Sequence, residues 1–198
     1  NSVAGNTVLG ETALDASVSG GNNTAVGKNS LGANTSGTNN VAVGANALDA
    51  NTTGGNNTAF GMHSLSANTT ADKNTGLGYY AGAAITTGVR NTAVGSEAIR
   101  QKTTSTDNTA VGFQALYQSS EGNHNTVVGA SAGYNISTGQ YNVGIGAGSA
   151  GGALTTGDGH VIIGYQAGDA MTTNTQCVAI GMTAGTAITT GSYHTVVG

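Results

Sequence analysis

Twelve glycines recur in one register along the chain, Gly10, Gly27, Gly44, Gly61, Gly78, Gly95, Gly112, Gly129, Gly146, Gly164, Gly181 and Gly198, and each follows an apolar residue. The interval is 17 residues except for one of 18 between Gly146 and Gly164. A fixed period of this size, with a strand-like pentapeptide at each return, is what a chain needs to wind as a solenoid with one coil per repeat. The expected fold is therefore all-β: a parallel β-solenoid (β-roll or β-helix) of 17-residue coils, forming a single repeat domain over residues 1–198. Eleven rung spacings of about 4.8 Å would give a rod of about 53 Å.

Disorder is the rival reading for a chain with 34 glycines and 7% charged residues. Disordered chains of low hydrophobicity usually carry high net charge and lack β-branched residues in phase. This chain has a net charge of only -4. That balance gives neither nucleic acid nor an anionic membrane an electrostatic reason to bind. No apolar run is long enough for a membrane-spanning helix, so membrane insertion is not expected. The single cysteine, Cys177, excludes an internal disulfide framework. The chain opens at Asn1 part-way through a repeat and stops on Gly198, which leads us to expect an excerpt of a longer chain.

With the anchor glycine as position zero, minus one is aliphatic or aromatic: Val26, Val43, Phe60, Leu77, Val94, Val111, Val128, Ile145, Ile163 and Ile180 in the inner repeats. Minus three is always Thr or Val, from Thr7 to Thr195. Side chains alternate along a strand, so these two positions share a face, and we expect that face to be the core. Minus two, on the opposite face, is never polar; it includes Ala25, Ala42, Ala59, Ala93, Ala110, Val127, Ile162 and Ala179. A strand apolar on both sides needs cover on both sides. We therefore expect this Ala/Val stripe to be a subunit interface.

After the anchor comes a variable two-residue turn, then a small residue at plus three, such as Ala13, Ser30, Ala47 or Ser64. The 18-residue repeat is expected to carry its extra residue in this turn, at Ala147 to Ser149. Beyond it two kinds of repeat appear. Where plus four is large (Leu14, Leu31, Leu48, Leu65, Ile99, Leu116), plus seven is polar (Ser17, Asn34, Asn51, Asn68, Lys102, Ser119). Where plus four is glycine (Gly82, Gly133, Gly151, Gly168, Gly185), plus seven is apolar (Ile85, Ile136, Leu154, Met171, Ile188). The exclusion implies one cavity per coil, filled from either position but not from both.

Minus four is Asn in nine repeats, from Asn6 to Asn142, and is expected to form a corner ladder of stacked amides. Each coil closes with hydroxyl-rich residues such as Thr35-Ser36-Gly37 and Thr86-Thr87-Gly88, which can satisfy one another along the rod. Two large residues per coil make a thin core, so association through the second apolar face is expected. A threefold bundle would hide three stripes about one axis, although the pattern does not set the number three.

The repeats Asn23-Thr24-Ala25-Val26-Gly27, Asn57-Thr58-Ala59-Phe60-Gly61 and Asn108-Thr109-Ala110-Val111-Gly112, with Ser30-Leu31 and Ala115-Leu116 following two of them, resemble those of phage tail-fibre shafts. Such repeats often precede a self-cleaving endosialidase-type chaperone domain. The pentapeptide is also similar to the head repeats of trimeric autotransporter adhesins, left-handed parallel β-rolls assembled as trimers. The resemblance covers essentially the whole chain. It implies a left-handed coil, a homotrimeric rod, and a fibre on a virion or cell surface that meets other fibre or virion proteins and a host-surface glycan. A bacterial adhesin head or filament subunit is the alternative.

The nine carboxylates fall at scattered phases, and nothing designates the facing pair that glycoside hydrolysis needs. No catalytic residues and no cofactor are expected, and the chain is not expected to be an enzyme. In the last three repeats the Asn column reads His160, Cys177, His194. Imidazole and thiolate are zinc ligands, but substitution within a hydrogen-bonding corner ladder is the expected role. Tyr79, Tyr80, Phe113, Tyr165 and Met62 fall in the plus-one or plus-two turn; tyrosines stack on sugar rings, so this edge is the candidate glycan contact. Ice binding is a minor alternative, because the terminal threonines come as adjacent pairs whose side chains diverge.

Overall fold

The computed structural model describes every residue except Asn1, Ser2, Ala4, Ser17, Lys102, Ser119 and Ser120. Among the described residues there are twelve strands of three residues each and no helix. They run from β1 (Thr7–Leu9) and β2 (Thr24–Val26) to β12 (Thr195–Val197), and each occupies minus three to minus one of its repeat. They form one sheet in sequence order, every neighbour pair parallel. Pairing is in strict repeat register, with Thr24 opposite Val41, Ala25 opposite Ala42 and Val26 opposite Val43. The fold is a parallel β-solenoid of 17-residue coils.

The anchor glycine is required twice over. Gly44 has φ +133°, and a Cβ on it would lie 2.6 Å from the carbonyl carbon of Gly61 on the next rung. From Gly27 onward each anchor amide also donates one rung back, as Gly44 N does to Val26 O at 2.7 Å. The turn that follows places plus two in the left-handed region, with Asn29 at φ 57°, His63 at 57° and Tyr80 at 54°. It closes when the plus-three amide donates to the anchor carbonyl, as Ala81 N does to Gly78 O at 3.2 Å.

Burial reverses the expected facing of the strands. The minus-two residues Ala25, Ala42, Ala59, Ala93, Ala110, Val127, Ile162 and Ala179 are each 0% exposed and belong to the core, so they cannot be a subunit interface. The minus-one residues form the outer face. Val26, Val43, Val94, Val111 and Ile163 are half-buried. Phe60, Leu77, Val128, Ile145 and Ile180 are exposed, Phe60 to 57%. The reason is space. The interior is filled by the large plus-four and plus-seven side chains Leu31, Leu48, Leu65, Ile85, Ile99, Leu116, Ile136, Leu154 and Met171, all essentially fully buried. That leaves the strand room for little more than a Cβ, so the small residue turns in and the larger pair turns out.

The exchange between plus four and plus seven is steric. A Cβ on Gly82 would lie 2.7 Å from Leu65 Cδ2 and 3.1 Å from Ile85 Cδ1. On Gly133 it would lie 3.1 Å from Ile136 Cδ1 and 2.9 Å from Val127 Cγ1. Glycine also suits the backbone, since plus four is left-handed even where it is large: Leu65 has φ 50° and Ile99 φ 48°. Such a conformation is costly for a bulky residue such as Leu65 and more so for the β-branched Ile99, and full burial of both offsets it. Of the polar plus-seven residues, Ser17, Lys102 and Ser119 lie outside the described residues.

The extra residue of the long repeat is not in the turn. Ser149 occupies plus three, its amide donating to Gly146 O at 3.1 Å, and Ala150 occupies the left-handed plus-four position at φ 50°. Leu154 is the buried plus-seven equivalent. The insertion therefore falls within 151–153. Ser149 fits the small plus-three site as Ser30 and Ser64 do, which keeps the turn at its usual length.

Candidate functional site

Three parts of the coil bear on function: the buried Asn-column corner, the aromatic turn edge and the outer face of the sheet. At the corner, Asn23 Oδ1 accepts the Asn40 backbone N–H at 2.9 Å, while Asn40 Nδ2 donates to Gly54 O at 2.8 Å. The pattern repeats from Asn57 to Asn142. A second buried column holds Asn34, Asn51 and Asn68: Asn51 Nδ2 donates to Asn34 Oδ1 at 3.0 Å, whereas Asn68 bonds within its own coil, its Oδ1 accepting the Ala71 N–H at 2.9 Å, and Asn51 Oδ1 has no partner. The terminal hydroxyls bond to the next rung's backbone: Thr35 Oγ1 donates to Thr52 O at 3.0 Å and Thr86 Oγ1 to Thr103 O at 2.9 Å. They satisfy main-chain carbonyls, not one another.

His160 continues the ladder by imitating asparagine. It is fully buried; its backbone N–H donates to Asn142 Oδ1 at 3.0 Å, and its Nε2 lies 2.7 Å from Asn174 O. Its Nδ1 accepts the Cys177 N–H at 3.2 Å. The Nε2–H tautomer follows from these partners. Burial holds the imidazole below the ordinary histidine pKa, so it is neutral at pH 7. Cys177 is buried with Sγ 3.5 Å from Thr175 O, whereas His194 is exposed. With both ring nitrogens committed to backbone, the column acts as a ladder, and among the described residues no cluster of three or more His, Cys, Asp or Glu could hold a metal ion.

On the turn edge, Tyr79, Phe113, Tyr165 and Met62 are exposed. Tyr80 is different. Its ring stacks on His63 at 4.7 Å, meets Tyr79 edge-on at 4.4 Å, and carries the Arg100 guanidinium 3.9 Å from its centroid. Arg100 is tied in turn to Glu97 at 2.9 Å, which accepts a bond from Gln114 Nε2 at 2.8 Å. Tyr80 is thus engaged within the chain, and Tyr79, Phe113 and Tyr165 remain as contact candidates on three separate coils. Beside this cluster, burial raises the Asp49 carboxyl above its ordinary pKa, and its Oδ1 has no hydrogen-bond partner.

Several acidic groups have structural partners. Asp72 Oδ1 accepts the Gly55 N–H at 2.6 Å, and Arg90 grips Asp107 with two bonds of 2.6 and 2.8 Å, which hold that carboxyl below the usual range. Glu11 pairs with Lys28 at 3.1 Å. Between these features lies the outer sheet face, a continuous band of Thr or Val beside an aliphatic or aromatic residue on every rung. No helix among the described residues is long and apolar enough to cross a membrane. No protein family, characterised protein or solved structure matches this chain.

Proposed function

We propose that the chain is a non-enzymatic shaft segment of a trimeric attachment fibre, displayed on a virion as in a phage tail. Its work is mechanical: it holds other fibre parts at a distance and adds weak multivalent contacts to a host-surface glycan. The observation that carries this reading is the outer face of the sheet, where apolar side chains from Val26 to Ile180 line a band along ten in-register rungs. A band of that length is a liability on a lone rod. The minus-three and minus-one residues that form it are all uncharged, so copies of the chain meet there without like-charge repulsion. Parallel copies about a threefold axis would cover three bands at once.

A bacterial adhesin head or extracellular filament subunit uses the same assembly and is the second reading. Sedimentation velocity on the intact chain is the first test, with a trimer expected and Val43→Asp with Val111→Asp reducing it to monomer. Immunogold labelling then separates virion from cell surface. A wild-type monomer at micromolar concentration would sink the fibre reading. Thermal hysteresis by that monomer would move the function to ice binding, which needs the same band bare.

A further inference from the structure

Five residues before each anchor the backbone is left-handed, and the side chains there form a column along the rod: Asn22, Asn39 and Asn56 at φ 58–60°, later Asp107, His124 and Tyr141. Successive members touch. Asn22 Nδ2 donates to Asn39 Oδ1 at 3.3 Å, His124 lies 4.0 Å from Asp107, and the His124 and Tyr141 rings stack at 4.9 Å with planes 3° apart. The next member is Gly159, at φ +71°, and after it come Gln176 and Tyr193. One face of Tyr141 is therefore covered by His124, while on the opposite side the following rung offers no side chain.

The gap opens into a solvent-open cleft of about 470 Å³ lined by Tyr141, Asp158, Gly159, Thr175, Gln176 and Tyr193. From Tyr141 to the Gln176 backbone is two rungs, about 9.6 Å at the rung spacing; the Gln176 side chain leans towards Gly159, its Cγ 3.3 Å from where a Cβ there would lie, and forms the far wall opposite a ring stacked on tyrosine. The wall beside it is polar. Asp158 Oδ1 accepts the Gln140 N–H at 2.7 Å, and the carboxylate keeps further acceptor sites. Thr175 Oγ1 donates to Ser192 Oγ at 3.1 Å and can still accept. Gln176 and the two phenols, all exposed, supply both donors and acceptors.

We propose that this slot over Gly159 binds one uncharged pyranose, its C–H face on Tyr141 and its hydroxyls on Asp158, Thr175 and Gln176. An aromatic floor with a few convergent polar groups is the usual makeup of a small-ligand site. The Asp158 charge disfavours acidic sugars. The slot is separate from the Tyr79, Phe113 and Tyr165 edge, and it stands on the coil geometry whatever particle or cell displays the chain.

The test is saturation-transfer NMR on the intact chain. Probes are the methyl glycosides of glucose, galactose, mannose and N-acetylglucosamine, with N-acetylneuraminic acid and choline as charged comparators. At least one methyl glycoside should bind, and both Gly159→Asn and Tyr141→Ala should weaken it by about tenfold or more. Gly159→Asn fills the slot with a residue this column already holds on the same backbone at Asn22, Asn39 and Asn56. Tyr141→Ala, at an exposed position, removes the platform without touching the core. Tyr79→Ala should bind as the parent does. Binding unchanged in Gly159→Asn, binding by none of the four glycosides, or binding by choline or N-acetylneuraminic acid alone would each overturn the assignment.

Discussion

His160 Nδ1 accepts the backbone N–H of Cys177 at 3.2 Å, taking the place that an asparagine oxygen holds between every earlier pair of rungs. Protonation would put an N–H against an N–H and a charge in a buried corner. With its folded pKa below the ordinary value, the native state binds fewer protons than the unfolded one across that window. Stability is then complete above about pH 6.5 and falls as pH drops below it, by at most about 1.4 kcal/mol per pH unit. His160→Asn restores the ladder and should remove this acid step, read as the pH dependence of the denaturant midpoint. An unchanged step would mean another group is responsible.

Gly82 and Ile85 occupy one cavity between them. Gly82→Leu alone should destabilise by about 1–3 kcal/mol, the range for overpacking. Adding Ile85→Asn vacates the cavity and places there the residue that Asn68 supplies at the same phase, bonded to the backbone of its own coil, so the double variant should recover. A double-mutant cycle in urea measures the coupling, expected at about 1–3 kcal/mol. Additive effects would show that the two positions do not share space.

Ala59 and Phe60 are neighbours on one strand with opposite duties. Ala59→Leu forces a larger side chain into a closed interior and should lower stability by about 1–3 kcal/mol. Phe60→Ala leaves the coil's own packing intact, so its effect should appear in the sedimentation of the assembly and scarcely in secondary structure. Equal loss of fold in both variants would contradict the facing of the strand.

Asn174 stands where the other coils from Gly20 onward have Gly, Ala or Ser, and it is 3% exposed with neither amide atom hydrogen-bonded. Asn174→Ala, the residue found at Ala71 in the same phase, removes two unpartnered polar atoms. It should stabilise the chain by about 1–3 kcal/mol, measured by denaturant unfolding. A loss of stability would mean that the side chain has a partner.

The period, the parallel register, the Asn ladder and the exclusion between plus four and plus seven could all be read from the chain, because each is a relation between residues of equal phase. So could the substitution of His160 and Cys177 into the Asn column. A clue to the facing was also present: Val127 and Ile162, the largest minus-two residues of the inner coils, occur in coils whose plus-four residue is glycine. They fill the same interior, and a Cβ on Gly168 would lie 2.9 Å from Ile162 Cδ1.

Alternation along a strand states that Ala59 and Phe60 point apart; it does not state which of them points inward. That choice depends on how much of the interior the plus-four and plus-seven side chains take, and those arrive from elsewhere in the coil. The slot beside Tyr141 has the same origin. His124, Tyr141 and Gly159 share a phase in the sequence, but only the left-handed backbone at that phase, held by stacked rungs, turns two rings into a pile with a vacant step above it. Local sequence set the repeat and its chemistry, and three-dimensional packing decided which face is core and which face meets the outside.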